Sequence, residues 1–130
     1  MFSSRRARPL AALALAASAL GTLLVTAPTA SASDYRDACY DSVGTRKGAH
    51  GWVIPARNFQ YGSTGVCVRE IQSDLSSILG IDPADWPFVD GIFGTKTDDY
   101  LKRFQRERGL AVDGVVGPAT WEALIASTTD

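Results

Sequence analysis

Apolar residues recur at helical spacing in the second half of the 130-residue chain. Over residues 65–80 they lie at intervals of about three and four, which places them on one face of a helix. Similar stripes occupy residues 95–108 and residues 118–126, where Pro118 suits the first helical position because it has no N–H group to leave unpaired. The predicted inward-facing residues are Val68, Ile71, Leu75, Ile78, Leu79, Tyr100, Leu101, Phe104, Trp121, Leu124 and Ile125. Three amphipathic helices can enclose one core, so the pattern predicts an all-α fold, a small three-helix bundle.

Residues 33–63 lack this helical period. Within them the segment GWVIPA, residues 51–56, is typical of an extended strand, and Pro55 interrupts it. We therefore expect an irregular N-terminal arm with one short extended piece over residues 33–63. The helical domain is expected over residues 64–130.

A nonapeptide is repeated almost unchanged between the predicted helices. VDGIFGTKT occupies residues 89–97 and VDGVVGPAT residues 112–120, and each copy follows one helix and precedes the next. In the first copy Gly91 can adopt a left-handed backbone, Asp90 can accept hydrogen bonds from the turn, and Thr97 can satisfy a free group in the first helical turn. The second copy has Asp113, Gly114 and Thr120 at the matching positions. The repeat thus predicts two similar helix-to-helix connections within the bundle.

Residues 1–32 have the pattern of a signal peptide. Arg5, Arg6 and Arg8 precede the apolar run LAALALAASALGTLLVTA, residues 10–27, and small residues follow it. Ala30 and Ala32 fit the A-x-A cleavage rule, so we expect cleavage after Ala32. A membrane anchor is the alternative, but the run has the length of a signal peptide and ends in a cleavage site. The prediction is export, by either the general secretory or the twin-arginine route.

The charge of the expected mature chain argues against nucleic acid as a partner. The whole chain has 13 basic and 14 acidic residues, and the three leader arginines are among the basic ones. Their removal leaves the mature part net acidic, whereas binding to phosphate backbones requires a basic surface. We expect one monomeric domain with a modest core and no membrane partner after cleavage.

Two cysteines, Cys39 and Cys67, lie in the expected mature chain. In an oxidising compartment a disulfide between them is the favoured interpretation, and it would pin the arm to the helical domain. A catalytic thiol is the alternative, but His50 is the one histidine of the sequence, and no Cys–His arrangement can be read from the spacing. One histidine with two bridged cysteines is no recognisable zinc ligand set, and we expect no metal or cofactor.

Three segments together resemble a known family. GVCVREIQSDL, VDGIFGTKT and LKRFQRERGLAVDGVVGPATWEAL are similar to the motifs of the peptidoglycan-binding-like domain family, a small three-helix cell-wall module. The resemblance covers residues 65–125, and it implies a secreted module that binds peptidoglycan non-covalently, ordinarily beside a catalytic domain. We expect this chain to depart from that pattern as a stand-alone member. One departure is the insertion IDPADWPFV, which makes the first connection longer than the second. Trp86 in this insertion could stack on a sugar ring or close one end of the bundle.

The resemblance points to the surface around the first repeated turn as the ligand-binding site. The candidates are Trp86, Asp90, Gly91, Phe93, Gly94, Thr97, Tyr100 and Gln105. Most have a structural alternative: Phe93 and Tyr100 can belong to the core, while the glycines and Thr97 can serve the turn alone. The sequence does not decide between the glycan strand and the stem peptide as the ligand.

No catalytic group stands out among the carboxylates. Asp98 and Asp99 fall in a predicted first helical turn, where they complement the helix dipole, and Asp90 and Asp113 have roles in the turns. The predicted function is a secreted, non-catalytic protein of the bacterial cell wall that binds peptidoglycan and can act beside a secreted wall-modifying enzyme. The alternative is a protein-interaction module, similar to a protease pro-region, that binds or restrains a secreted hydrolase.

Overall fold

The computed structural model describes residues 32–129. The predicted signal peptide therefore lies outside the described residues, except for Ala32, where the first helix begins. The elements in chain order are helix α1 (Ala32–Val43), strands β1 (Thr45–Lys47) and β2 (Val53–Pro55), helix α2 (Val66–Ile78), a 3₁₀ helix (Pro83–Phe88), helix α3 (Thr95–Glu107) and helix α4 (Pro118–Thr128). Within residues 32–129, no helix is long and apolar enough to cross a membrane.

The three helices predicted from periodicity are confirmed as α2, α3 and α4. Their apolar faces meet in one core, to which β2 and the segment after it also contribute. Trp121 is fully buried there, with its ring edge-on to Phe59 at 6.1 Å and its Nε1 donating to the carbonyl oxygen of Arg57 at 3.0 Å. The buried apolar residues of this core are Cys39, Ile54, Phe59, Cys67, Val68, Ile71, Leu75, Phe93, Leu101, Phe104, Val116, Trp121, Leu124 and Ile125.

The N-terminal arm is not irregular as predicted, because residues 32–43 form helix α1. Its apolar stripe is thin: Tyr35, Cys39 and Val43 recur every four residues, and of these three Cys39 alone is fully buried. Next to this stripe, Arg36 makes ion pairs with helix α2 that a pattern of apolar residues does not register. Helix α1 is therefore stabilised mainly by its contacts with α2 rather than by its own sequence.

A two-stranded antiparallel sheet follows α1, so the fold is mostly helical rather than all-α as predicted. Strand β2 is the extended piece expected from the sequence; Arg46 pairs with Ile54, and Ile54 is buried in the core. The strand ends at Pro55, which has no N–H group to continue the ladder. The turn of this hairpin reaches helix α4, where the backbone N–H of His50 donates to Glu122 Oε2 at 2.9 Å.

A disulfide joins α1 to α2, as predicted. Cys39 and Cys67 are both buried, and their Cα atoms lie 4.6 Å apart. One helical turn away on both helices, Arg36 Nε donates to Glu70 Oε2 at 2.8 Å. Helix α1 is thus fixed to α2 at two neighbouring points.

Removal of the disulfide is expected to destabilise the protein. In the chain-entropy treatment, a bridge across a sequence separation of 28 restricts the unfolded chain enough to contribute about 3 to 4 kcal/mol. Urea unfolding of a double variant, Cys39→Ala with Cys67→Ala, should show a loss of that order, and the reduced wild-type protein should behave similarly. An unchanged unfolding midpoint in both samples would show that the bridge does not stabilise the fold.

Candidate functional site

The first repeated turn is organised by Gln72, a buried residue of helix α2. Its side-chain oxygen accepts hydrogen bonds from the backbone N–H groups of Asp90 and Gly91, both at 2.9 Å. Its amide nitrogen lies 2.9 Å from Thr97 Oγ1, 3.0 Å from the carbonyl oxygen of Ile92 and 3.2 Å from Asp90 Oδ1. One amide thereby links α2, the turn and the start of α3, and it satisfies backbone groups that the turn leaves unpaired.

The second repeated turn has the same arrangement around Gln105 of helix α3. The side-chain oxygen of Gln105 accepts from the N–H of Gly114 at 3.1 Å. Its amide nitrogen lies 2.9 Å from Asp113 Oδ1, 3.1 Å from the carbonyl oxygen of Val115 and 3.2 Å from Thr120 Oγ1. The glutamine precedes its turn aspartate by 18 residues in the first unit and by 8 in the second. The repeated unit is therefore larger than the nonapeptide, and its first copy contains the 3₁₀ helix as an insertion.

The two turn glycines have the left-handed backbone that the sequence predicts. Gly91 has a φ of 82° and Gly114 a φ of 70°, in the region that favours glycine. Space is also restricted, since a Cβ atom on Gly114 would lie 2.7 Å from Asp98 Oδ1. The Thr97 hydroxyl accepts a hydrogen bond from Gln72 instead of satisfying a backbone group of the first helical turn. These repeated residues thus build the turns.

The structure buries half of the predicted ligand-binding residues. The buried candidates are Gly91, Phe93, Thr97 and Gln105. A ligand on the surface of this conformation does not reach them. Asp90 is exposed, but its Oδ1 accepts from the N–H of Ile92 at 2.9 Å, and Gly94 and Tyr100 are half-buried. Trp86 is the large apolar candidate with substantial exposure, at 53%.

Trp86 lies on the protein surface, in the 3₁₀ helix, and does not close an end of the bundle. Its Nε1 donates to the carbonyl oxygen of Ile81 at 3.0 Å, which fixes the orientation of the indole. The start of the 3₁₀ helix is fixed as well, because the Asp82 carboxylate accepts from the N–H of Ala84 at 2.8 Å. Since the polar edge of the indole is satisfied within the protein, the exposed part of the ring is apolar.

Helix α3 holds the 3₁₀ helix in place through Asp85. The Asp85 carboxylate accepts from the Tyr100 hydroxyl at 2.9 Å and from Lys96 Nζ at 2.8 Å. The hydrogen bond from Lys96, followed by that from Tyr100, lowers the pKa of Asp85 below its usual value. The Tyr100 ring also packs on Phe88, with 5.0 Å between the ring centres. These contacts give Tyr100 a structural role and restrict the position of the neighbouring Trp86.

A groove of about 280 Å³ lies between helix α1 and the 3₁₀ helix. It is lined by Tyr35, Ser73, Ser76, Trp86 and Val89. Two of the contributing elements, the arm and the insertion, lie outside the repeated turns, so the motifs did not indicate this groove. The sequence-based candidates included Trp86 but not Tyr35, Ser73, Ser76 or Val89. The available signal was the aromatic ring of Tyr35 in a largely polar segment.

A second hollow, of about 230 Å³, lies between the hairpin and helix α4. Its lining consists of His50, Trp52, Leu110, Ala119, Glu122, Ala123 and Ala126. His50 is in the hairpin turn, and its Nδ1 lies 3.0 Å from Glu122 Oε1. Hydrogen bonding to His50 lowers the pKa of Glu122. This pair fastens the hairpin to α4.

Helix α1 brings Arg36 to two buried acidic side chains of α2. Arg36 Nε lies 2.8 Å from Glu70 Oε2, and Arg36 Nη2 lies 3.5 Å from Asp74 Oδ2. Burial, followed by the negative charge of Glu70, raises the pKa of Asp74 to about 9. Burial also raises the pKa of Glu70, although the hydrogen bond from Arg36 opposes that shift. At neutral pH Asp74 is therefore protonated, and Glu70 balances the charge of Arg36.

The fold and its paired turns define a small helical module with an attached arm. Residues 64–124 match the family described as "Putative peptidoglycan binding domain". The chain is also 36% identical to the solved structure of the SleB N-terminal domain, with a TM-score of 0.52, over 58% of this chain and 99% of that domain. The chain therefore belongs to the peptidoglycan-binding domain family.

Two relatives are longer enzymes. The zinc D-Ala-D-Ala carboxypeptidase of Streptomyces albus G is 36% identical over 100 residues, which are 77% of this chain and 35% of the enzyme. The spore cortex-lytic enzyme of Halalkalibacterium halodurans is 37% identical over 71 residues, which are 55% of this chain and 20% of the enzyme. The chain thus spans only a minor part of either relative. The part of the chain from the start of the family match, residue 64, to residue 130 is shorter than 100 residues. The 100-residue alignment with the carboxypeptidase therefore includes residues of the arm.

Substitution of the first turn glutamine is expected to destabilise the fold. Gln72→Ala leaves the buried N–H of Gly91 without its acceptor, whereas the N–H of Asp90 keeps the carbonyl oxygen of Phe88 as a second acceptor. One unpaired buried group costs about 1 to 3 kcal/mol, so urea unfolding should show a loss of that order. Gln60→Ala, at an exposed position, is the matched control. Equal losses in the two variants would contradict the role assigned to Gln72.

The buried acidic pair is expected to make stability depend on pH. Asp74 binds its proton more tightly in the folded state than in the unfolded state, where its pKa returns to about 3.8. This contribution to stability is complete below that pH and is lost as the pH rises toward 9. From about pH 5 to about pH 9 the free energy of unfolding should fall by more than about 1.4 kcal/mol, the equivalent of one pKa unit.

The variant Asp74→Asn tests this assignment. Its side chain has nearly the shape of the protonated acid but does not titrate, so the free energy of unfolding should vary less with pH over the same range. Urea unfolding of both proteins at several pH values provides the comparison. Identical pH profiles for the wild type and the variant would exclude Asp74 as the titrating group.

Proposed function

We propose that the protein binds peptidoglycan of the bacterial cell wall without catalysing a reaction on it. The observation that carries this proposal is the match of residues 64–124 to the peptidoglycan-binding domain family. The similarity to the SleB N-terminal domain supports it, because 99% of that domain is covered. The shared part therefore corresponds to a whole module rather than to a fragment of one.

The positions of several acidic residues favour binding over catalysis. Asp90 and Asp113 accept hydrogen bonds from the N–H groups of their own turns. Glu70 is paired with Arg36, and Glu122 holds the hairpin. Each of these carboxylates already has a structural function, whereas glycoside hydrolysis requires two carboxylates on either side of a cleft.

The relatives suggest where such a module works. They are named for D-Ala-D-Ala and for the spore cortex as their targets, and this chain matches 35% or less of each enzyme. We place the protein outside the cell or at the wall, after export directed by the predicted signal peptide. There it can hold a wall-modifying enzyme close to its substrate by binding the same polymer.

The proposed ligand surface lies around the insertion and the first repeated turn. Its accessible members are Trp86, Asp90, Gly94 and Tyr100. Of the buried candidates, Gly91, Phe93 and Thr97 belong to the first turn, whereas Gln105 holds the second turn. On this proposal the repeated motif supplies the shape of the surface, and the insertion supplies its exposed aromatic ring.

A second candidate function is the restraint of a secreted hydrolase by a pro-region-like module. The alignment with the carboxypeptidase favours this candidate, because a segment similar to the arm and the helical domain together occurs in that hydrolase. One form of restraint, a cysteine thiol that blocks a catalytic metal, disagrees with the disulfide between Cys39 and Cys67. Peptidoglycan binding is therefore the function that the observations favour.

A sedimentation assay on insoluble peptidoglycan tests the proposed function. The purified protein, with its disulfide intact, should sediment with peptidoglycan and not with cellulose. Retention should persist at moderate salt, because the expected mature chain is net acidic and has little non-specific electrostatic attraction to the polymer. If protein with an intact helical circular dichroism spectrum stays in the supernatant, the proposal is wrong.

A further inference from the structure

We propose that the groove between helix α1 and the 3₁₀ helix binds one sugar ring of the peptidoglycan glycan strand, with an apolar face of that ring on Trp86. The groove is lined by Tyr35, Ser73, Ser76, Trp86 and Val89. This inference rests on the proposed function. It specifies which part of the polymer is recognised, namely the sugar rather than the stem peptide, and which residues contact that sugar.

Trp86 has the properties of a stacking surface. It leaves 53% of its area exposed, although burial of so large an apolar ring would be favourable. Its Nε1 donates a hydrogen bond to the carbonyl oxygen of Ile81. The carboxylate of the neighbouring Asp85 accepts hydrogen bonds from Lys96 and Tyr100. The ring is therefore oriented before a ligand arrives, so binding costs little side-chain entropy. The free apolar face can contact the C–H groups of a pyranose ring.

The remaining walls supply a second aromatic ring and hydroxyl groups. Tyr35 comes from α1, and Ser73 and Ser76 come from α2; all three are half-buried. Ser76 Oγ donates to the carbonyl oxygen of Ser73 at 2.8 Å, and its oxygen can still accept a hydrogen bond. A pyranose ring has apolar faces and a rim of hydroxyl groups. Aromatic rings beside a few polar groups are the combination that binds such a ligand.

The size and charge of the groove favour a sugar ring over a stem peptide. Its volume of about 280 Å³ is just below the roughly 300 to 1,000 Å³ of sites for drug-sized ligands, which suits one ring. None of the five lining residues carries a charge. The charged residues next to them in the chain are Asp34, Arg36, Asp74, Asp85 and Asp90. Arg36 is the one cation of this set, and it is paired with Glu70. Stem peptides carry carboxylates, and this groove offers no unpaired cation from those positions to receive them.

The groove depends on the docked position of the arm. Tyr35 is next to Arg36, whose ion pair with Glu70 fixes α1 on α2. The disulfide between Cys39 and Cys67 fixes the same two helices one turn further along. The proposed site is thus formed where the arm and the insertion meet α2, beside the first glutamine-centred turn.

Binding of glycan strands freed of stem peptides by amidase digestion tests the inference. In NMR spectra of the ¹⁵N-labelled wild type, the Trp86 indole N–H signal should shift on addition of these strands. By calorimetry, Trp86→Ala and Tyr35→Ala should each weaken binding at least about tenfold, and Trp86→Phe should retain part of it. The matched controls Trp52→Ala and Tyr61→Ala remove rings that are 37% and 64% exposed outside the groove, and they should bind as the wild type does.

The outcomes distinguish this inference from the proposed function. If the wild type sediments with insoluble peptidoglycan but Trp86→Ala and Tyr35→Ala bind glycan strands as strongly as the wild type, the groove is not the site and the proposed function stands. Preferential binding of a synthetic stem peptide would also overturn the inference alone. If the folded wild type does not bind insoluble peptidoglycan, both proposals fail.

Discussion

The buried amides of Gln72 and Gln105 are the interactions on which the turns of this fold depend. Each repeated turn has a left-handed glycine, and the N–H of that glycine and the carbonyl group of the next residue pair with the glutamine side chain. Left unpaired in the interior, such groups would cost about 1 to 3 kcal/mol each. A primary amide carries an acceptor and two donors on one plane, so a single glutamine from the preceding helix serves both kinds of group.

This arrangement explains why the two units differ in length without differing in their turns. The amide connects the helix directly to the turn, so the intervening chain can be extended without loss of these bonds. The first unit uses this freedom for the 3₁₀ helix, which α3 holds through Asp85. An exposed loop on a rigid scaffold is a common position for a binding residue, and Trp86 occupies such a position here.

Helices α2, α3 and α4 could be predicted from the sequence because their apolar residues follow the helical period. The disulfide could be predicted from the expected compartment. Helix α1 could not, because its apolar stripe is thin and one of the contacts that hold it joins residues 34 apart, Arg36 and Glu70. No local pattern contains that contact. Thr97 and Gln105 were selected as ligand candidates from motif similarity, yet the structure buries both. A short repeated motif can arise from shared turn geometry, and sequence alone does not separate that cause from ligand binding.

Two neighbouring contacts hold helix α1 on α2, the disulfide at Cys39 and, one turn away, the ion pair of Arg36 with Glu70. The ion pair places charge among buried side chains of α2. This buried ion pair is tolerated because Asp74 is protonated at neutral pH. The Arg36 cation therefore faces one anion, Glu70, rather than two. The position of Tyr35, and with it the shape of the groove beside Trp86, therefore follows from buried electrostatic contacts that no ligand would touch.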